Sequence, residues 1–212
     1  MGWFRKEQVP SPDSLSLPSA EWELNYKDDS SISWMALDKV AVRVICLSGS
    51  SPVPEDLPGA TKFYEIESKE NGGVLIEAEF VSTEAGRVFR SVHKYQSPEN
   101  PLNAYIVGII LLTWKKFHIR IHTEAIELGS TGGREAGVAL VNTDQPPEPP
   151  VESEEVTTKQ LFDKLRAGRI AASPSDAAKW DRAFPQHPLS RVRSIQTHII
   201  GTMTTDLPPS GT

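Results

Sequence analysis

The residues with most chemical potential lie between Glu127 and Glu135, in the run Glu-Leu-Gly-Ser-Thr-Gly-Gly-Arg-Glu. A glycine-rich loop between a strand and a helix can present backbone N–H groups to an anion, and a guanidinium beside it adds a two-pronged clamp. Ser130, Thr131, Gly132, Gly133 and Arg134 are therefore the candidate anion- or ligand-binding residues. The run departs from both common phosphate loops: it has no Gly-Lys-Ser/Thr ending, and its glycines do not fall in the dinucleotide-binding order. The structural alternative is a tight turn in which Arg134 pairs with Glu127 or Glu135.

Other reactive side chains carry less. His118 and His122 share one face of an expected strand but stand about 13 Å apart, too far to hold one metal ion. With His93 they read as solvent-facing histidines on a sheet. Cys46, in Val44-Ile45-Cys46-Leu47, reads as a small buried hydrophobe. Ser48-Gly49-Ser50-Ser51 lacks the second glycine of a nucleophile elbow, since Val53 stands there. Glu77 and Glu79 alternate with apolar residues as on a solvated sheet face, and support no glycosidase reading. The five tryptophans are scattered without interleaved basic residues, which argues against a stacking platform for single-stranded nucleic acid. No nucleophile, acid/base pair, metal set or cofactor motif emerges.

The elements that must position these residues are mostly strands. Val40 to Leu47, Phe63 to Glu67, Gly73 to Val81, Arg87 to Tyr95, Ala104 to Trp114 and Phe117 to Glu127 are rich in β-branched and aromatic residues and are separated by turn formers. Asn71-Gly72 reads as a hairpin signal. Ala104 to Trp114 is apolar almost throughout and belongs inside a sheet covered on both faces. Phe117 to Glu127 alternates with period two, as a half-exposed strand does. A helix is expected over Thr131 to Val141. Three more follow: one opened by the Thr157/Gln160 capping box and closed at Gly168, one from Ser173-Pro174 to Phe184, and one from Pro188 to Met203. In the last, Leu189, Val192, Ile195 and Ile199 form an apolar stripe at helical spacing, the candidate partner-binding surface.

These segments sort into an irregular N-terminal stretch (1–19), an α+β body (20–142), an acidic Pro-rich linker (143–156) and a helical tail (157–212). The linker carries four prolines and five acidic residues. Residues 1–142 hold 14 basic and 19 acidic residues and the tail eight and four, so the tail can dock on its own body, on the acidic linker or on an acidic partner. The 212-residue chain is acidic overall, with a formal charge of −6, and lacks the positive field expected of a nucleic-acid or anionic-membrane binder. Its longest apolar run is about half a membrane span. One cysteine and no visible signal peptide point to the cytoplasm.

Two stretches, Glu127-x-Gly129-x-Thr131-Gly132-x-Arg134-Glu135 and Phe184-Pro185-x-His187-Pro188-Leu189-Ser190-Arg191-Val192-Arg193, resemble segments of uncharacterised bacterial proteins. The layout is similar to small adaptor modules of the MOG1/PsbP type. The expectation is therefore an antiparallel β-meander sheet with a flanking helix and a helical tail. Its expected role is a non-catalytic interaction or accessory module with a protein partner, no nucleic acid, no membrane and no cofactor. The alternative is a small-molecule or anion-binding protein or enzyme built on Ser130 to Glu135.

Overall fold

The computed structural model describes residues 9–100, 103–128, 132–141 and 171–208. The expected linker and the Thr157 helix lie outside these residues. Within them the chain is α+β. Its sheet comprises β2 (Glu23–Lys27), β3 (Ser31–Ala36), β4 (Val40–Ser48), β5 (Val74–Thr83), β6 (Gly86–Gln96), β7 (Ala104–Thr113) and β8 (Phe117–Ile126). Their order is β2-β3-β4-β8-β7-β6-β5, and every neighbouring pair is antiparallel. It is two meanders rather than one. The first, β2-β3-β4, meets the second, β5-β6-β7-β8, where β4 pairs with β8.

Helix α1 (Leu57–Glu70) carries the chain from β4 in mid-sheet to β5 at the far edge. It corrects the strand expected at Phe63 to Glu67. Asp56 caps it by accepting from the Gly59 N–H at 2.8 Å, and Pro58 stands in its first turn. Ala60, Tyr64 and Ser68 are buried at steps of four, a helical period that the five-residue alternation around Phe63 conceals. Asn71-Gly72 is accordingly the end of this helix and not a hairpin turn. The Asn71 N–H bonds the Glu67 carbonyl, and Gly72 adopts the left-handed φ of 72°.

The sheet buries both faces. On one, α3 (Pro188–Thr202) lies across β4, β7 and β8, and Leu189, Val192, Ile195 and Ile199 join Val42, Val44, Ile110, Ile119 and Ile121 in a single core. On the other, α1 packs Ala60 and Tyr64 against Phe89, Ile109 and Leu111. Strand β7 is interior and covered on both sides, as its apolar run requires. The helix starting near Thr131 is α2 (Gly133–Val141). Between Ser173 and Phe184 the expected α-helix is replaced by two 3-10 turns, Pro174–Asp176 and Ala178–Trp180. In the stretch read as irregular, β1 (Leu15–Ser16) pairs with β9 (Thr204–Thr205) just past α3. Residues 188–203 thus belong to the hydrophobic core of the sheet and not to a separable tail. Among the described residues, no helix is long and apolar enough to cross a membrane.

Candidate functional site

The two sequence segments singled out above meet in space, where the end of β8 and the start of α2 face the N-terminus of α3. Arg134 is the centre of this junction and is only 1% exposed. Its Nε donates to the Ser175 carbonyl at 2.6 Å, Nη1 to Asp181 at 2.9 Å and Ser190 Oγ at 2.7 Å, and Nη2 to the Ala177 carbonyl at 3.1 Å. With its donors committed to protein acceptors, the guanidinium is not a clamp for an external anion. Its carboxylate partner is Asp181, not Glu127 or Glu135. Gly132, at φ 77°, turns its N–H onto Glu127 Oε1 at 2.7 Å, and Gly133 begins α2. Ser130 and Thr131 lie outside the described residues.

The apolar stripe is equally occupied. Leu189, Val192 and Ile199 are fully buried and Ile195 is 9% exposed, all against this chain's own sheet, so they offer no surface to a second protein. The polar side chains of α3 point into the same interface. Arg193 binds Glu77 at 2.7 Å and Asp181 at 3.1 Å. Glu77 also receives Arg90 at 2.6 Å, which removes the expectation that it decorates a solvated face. Lys94, 2% exposed, is neutralised by Asp176 at 2.8 Å. Gln196 bonds the carbonyls of Ser91 and Ile109 and accepts from Arg90.

The histidines depart from the solvent-facing expectation. His93 is buried under α1 between Ser68 (2.7 Å) and Ser91 (2.8 Å). Ser68 donates its own proton to the Tyr64 carbonyl, so His93 Nδ1 donates to Ser68 and Nε2 accepts from Ser91. That arrangement holds the neutral ring. Burial, with the nearby His122, moves its pKa down to about 4. His118 is buried at the far end of β8, its Nδ1 3.2 Å from the Gly49 carbonyl, and burial lowers its pKa. Cys46 is buried as expected, and desolvation raises its thiol pKa to about 11.

Sequence reasoning missed a different cluster at the same junction. Glu127, Glu135 and His187 bring one ligand-type atom each within 4.8 Å of one another. Glu127 is aimed by the N–H groups of Gly132 and Ala104, at 2.7 and 3.2 Å. His187 caps α3 by accepting the Leu189 N–H on Nδ1 at 3.3 Å. Its Nε2 and Glu135 Oε2 are buried without a hydrogen-bond partner. Desolvation, aided by Arg134, lowers the His187 pKa to about 3, so the ring is neutral. A cleft of about 370 Å³ adjoins the cluster, lined by Leu128, Phe184, Pro185 and Pro188 among others. Only the shared membership of the two quoted segments could have flagged these residues, because no local spacing links position 127 to 187.

A second surface lies on the α1 side of the sheet, where α1 spans only the β5-to-β7 end. On β4 and β8 the register places Arg43 opposite His122 and Ile45 opposite Arg120. Arg43 is exposed, and Arg120 and His122 are half-buried. Arg120 Nε has no hydrogen-bond partner, and burial with Arg120 and Arg43 nearby lowers the His122 pKa. Among the described residues two carboxylates adjoin this patch: Glu124, which accepts from Tyr105 and lies 3.8 Å from His122, and Asp28 beside Tyr26. Tyr26 on edge strand β2, 52% exposed, flanks it and donates to Asp28 at 2.7 Å. Compared with known proteins, the chain matches no family model and no curated protein.

Proposed function

We propose that the chain is a non-catalytic interaction module that receives an acidic protein segment on the half of its sheet that α1 leaves uncovered. The observation that carries this reading is the pair of guanidiniums, Arg43 and Arg120, set on either side of an uncharged His122 on the β4–β8 face, a local concentration of positive charge on a chain of net charge −6. Opposite charge gives such a contact its steering and register, and a half-buried guanidinium is worth more to a partner than one fully in water. The exposed Tyr26 on β2, on the same face as Arg43, adds apolar area at its rim. The anion-binding or enzymatic alternative on Ser130 to Glu135 loses its main support, because Arg134 is spent inside the protein. A reducing compartment such as the cytoplasm fits a single buried thiol.

The test is binding of a fluorescent decaglutamate peptide, followed by polarisation. The intact chain is expected to bind it with an affinity that falls as salt rises, and Arg43→Glu, at an exposed position, is expected to abolish binding with the fold intact. Equal binding by the variant, or none by the intact chain at low ionic strength, would refute the proposal.

A further inference from the structure

We propose that Glu127, Glu135 and His187 bind one divalent transition-metal ion at the mouth of the cleft between the end of β8, the start of α2 and the N-terminus of α3. The site is independent of the acidic-partner surface, which lies on β4 and β8 at the α1 face.

Two carboxylates and one imidazole are a donor set that suits Zn2+, and three protein ligands leave a further position for water or an incoming ligand. The donor atoms lie within 4.8 Å of one another. An ion about 2.0–2.2 Å from each needs spacings of roughly 3.5 Å, so the site must close by about an ångström. Glu135, with 32% of its side chain exposed, has the freedom to swing inward. Glu127 is already oriented by two backbone N–H groups, the kind of support that ligating carboxylates receive from their surroundings.

The second, independent observation is the pair of unpartnered buried atoms. Leaving a buried polar atom without a partner is costly, because its contact with water is lost and not replaced. Here two of them, His187 Nε2 and Glu135 Oε2, sit at one cluster. His187 is nine-tenths buried, and its Nε2 lies 3.9 Å from Glu135 Oε1. An ion would satisfy both at once. The adjoining cleft supplies the entry path and room for water.

Charge permits it. The network around the junction sets Arg90, Lys94, Arg134, Arg191 and Arg193 against Glu77, Glu127, Glu135, Asp176 and Asp181. Carboxylates equal cations in number, and His187, whose Nδ1 accepts a hydrogen bond, adds no positive charge.

Binding has a defined proton consequence. In the metal-free ring Nδ1 accepts from Leu189, so the imidazole proton sits on Nε2. Coordination through Nε2 requires that proton to move to Nδ1, which gives up the long Leu189 contact. No proton is gained or lost by the ring.

The experiment is Zn2+ titration of the full chain after dialysis against a chelator, by calorimetry and by 15N NMR of the histidine rings. The expected result is one equivalent bound, exchange of the two ring-nitrogen signals of His187 and a shift of the Leu189 amide. Glu135→Gln, a half-exposed position that leaves the α3 cap in place, is expected to weaken binding tenfold or more. His187→Gln should do the same. No binding by the intact chain at 100 μM Zn2+, a loss smaller than tenfold in Glu135→Gln, or an unchanged His187 tautomer would overturn the proposal.

Discussion

Replacing Arg134 by alanine separates a structural arginine from a ligand clamp. The side chain is 1% exposed and supplies four hydrogen bonds, to two backbone carbonyls, one carboxylate and one hydroxyl. Its loss leaves the Ser175 and Ala177 carbonyls without those donors. Asp181 keeps Arg193 as a counter-ion at 3.1 Å, which limits the damage on the carboxylate side. Breaking a buried ion pair by removing one partner costs about 3–5 kcal/mol. For a chain of this size each kcal/mol moves Tm by about 2–4 °C, so the variant should melt roughly 6–20 °C lower. Calorimetric melting of the intact chain and the variant at pH 7 measures this. A variant whose Tm stays within 2 °C of the parent would refute the structural role and return Arg134 to the ligand reading.

Gly108→Ala should destabilise by about 1–3 kcal/mol through overpacking, because a Cβ there would overlap Thr123 Oγ1 and the Gln196 amide that seat α3 on β7. Chemical denaturation checks this, and an unchanged midpoint would mean that Gln196 of α3 does not rest on Gly108. His93 takes up a proton near pH 6.5 when unfolded but only near pH 4 when folded. Its contribution is therefore complete above pH 6.5 and is lost as pH falls towards 4, by about 3 kcal/mol. His93→Gln should flatten that part of the stability profile, leaving the slope due to the other histidines whose pKa is lowered, His118, His122 and His187; an identical profile in the variant would contradict the buried neutral ring.

What could be read from the sequence was whatever repeats locally. Strands β4 to β8 are marked by their own runs, and α3 by apolar residues at steps of three and four. Strand β2 alternates Leu24 and Tyr26 with polar residues and β3 alternates Ile32 and Trp34 with serines, but both periods are short, β2 is exposed at every position, and neither has the run of β-branched residues that marks β4 to β8. Helix α1 hid behind a short alternation, its true signal being Ala60, Tyr64 and Ser68. At the junction, Arg134 stood out by type, but its role depends on residues 41 to 56 positions away. The Glu127, Glu135 and His187 cluster joins the end of β8, α2 and the N-terminus of α3, and the seating of α3 on β7 and β8 brings His187 to the other two. Non-local contacts of that kind leave no trace in spacing.

The polar underside of α3 explains why the helix sits in one place. An apolar stripe alone would tolerate sliding, since burial is non-directional. Gln196 enters the notch over Gly108, Arg193 reaches Glu77 on edge strand β5, and Arg191 reaches the carbonyls of Asp38 and Ile126. Asp38 and Lys39 hold left-handed φ values of 59° and 57° without being glycines, a conformation that costs about 1–3 kcal/mol each. Arg191 grips that turn from across the sheet. The two meanders are joined in the sheet by the pairing of β4 with β8, and α3 crosses this seam, with contacts to β4, β7 and β8. The last long helix is therefore the clamp that joins the two halves of the sheet. The Arg43, His122 and Arg120 patch straddles the same seam on the opposite face, so its geometry depends on α3 being seated.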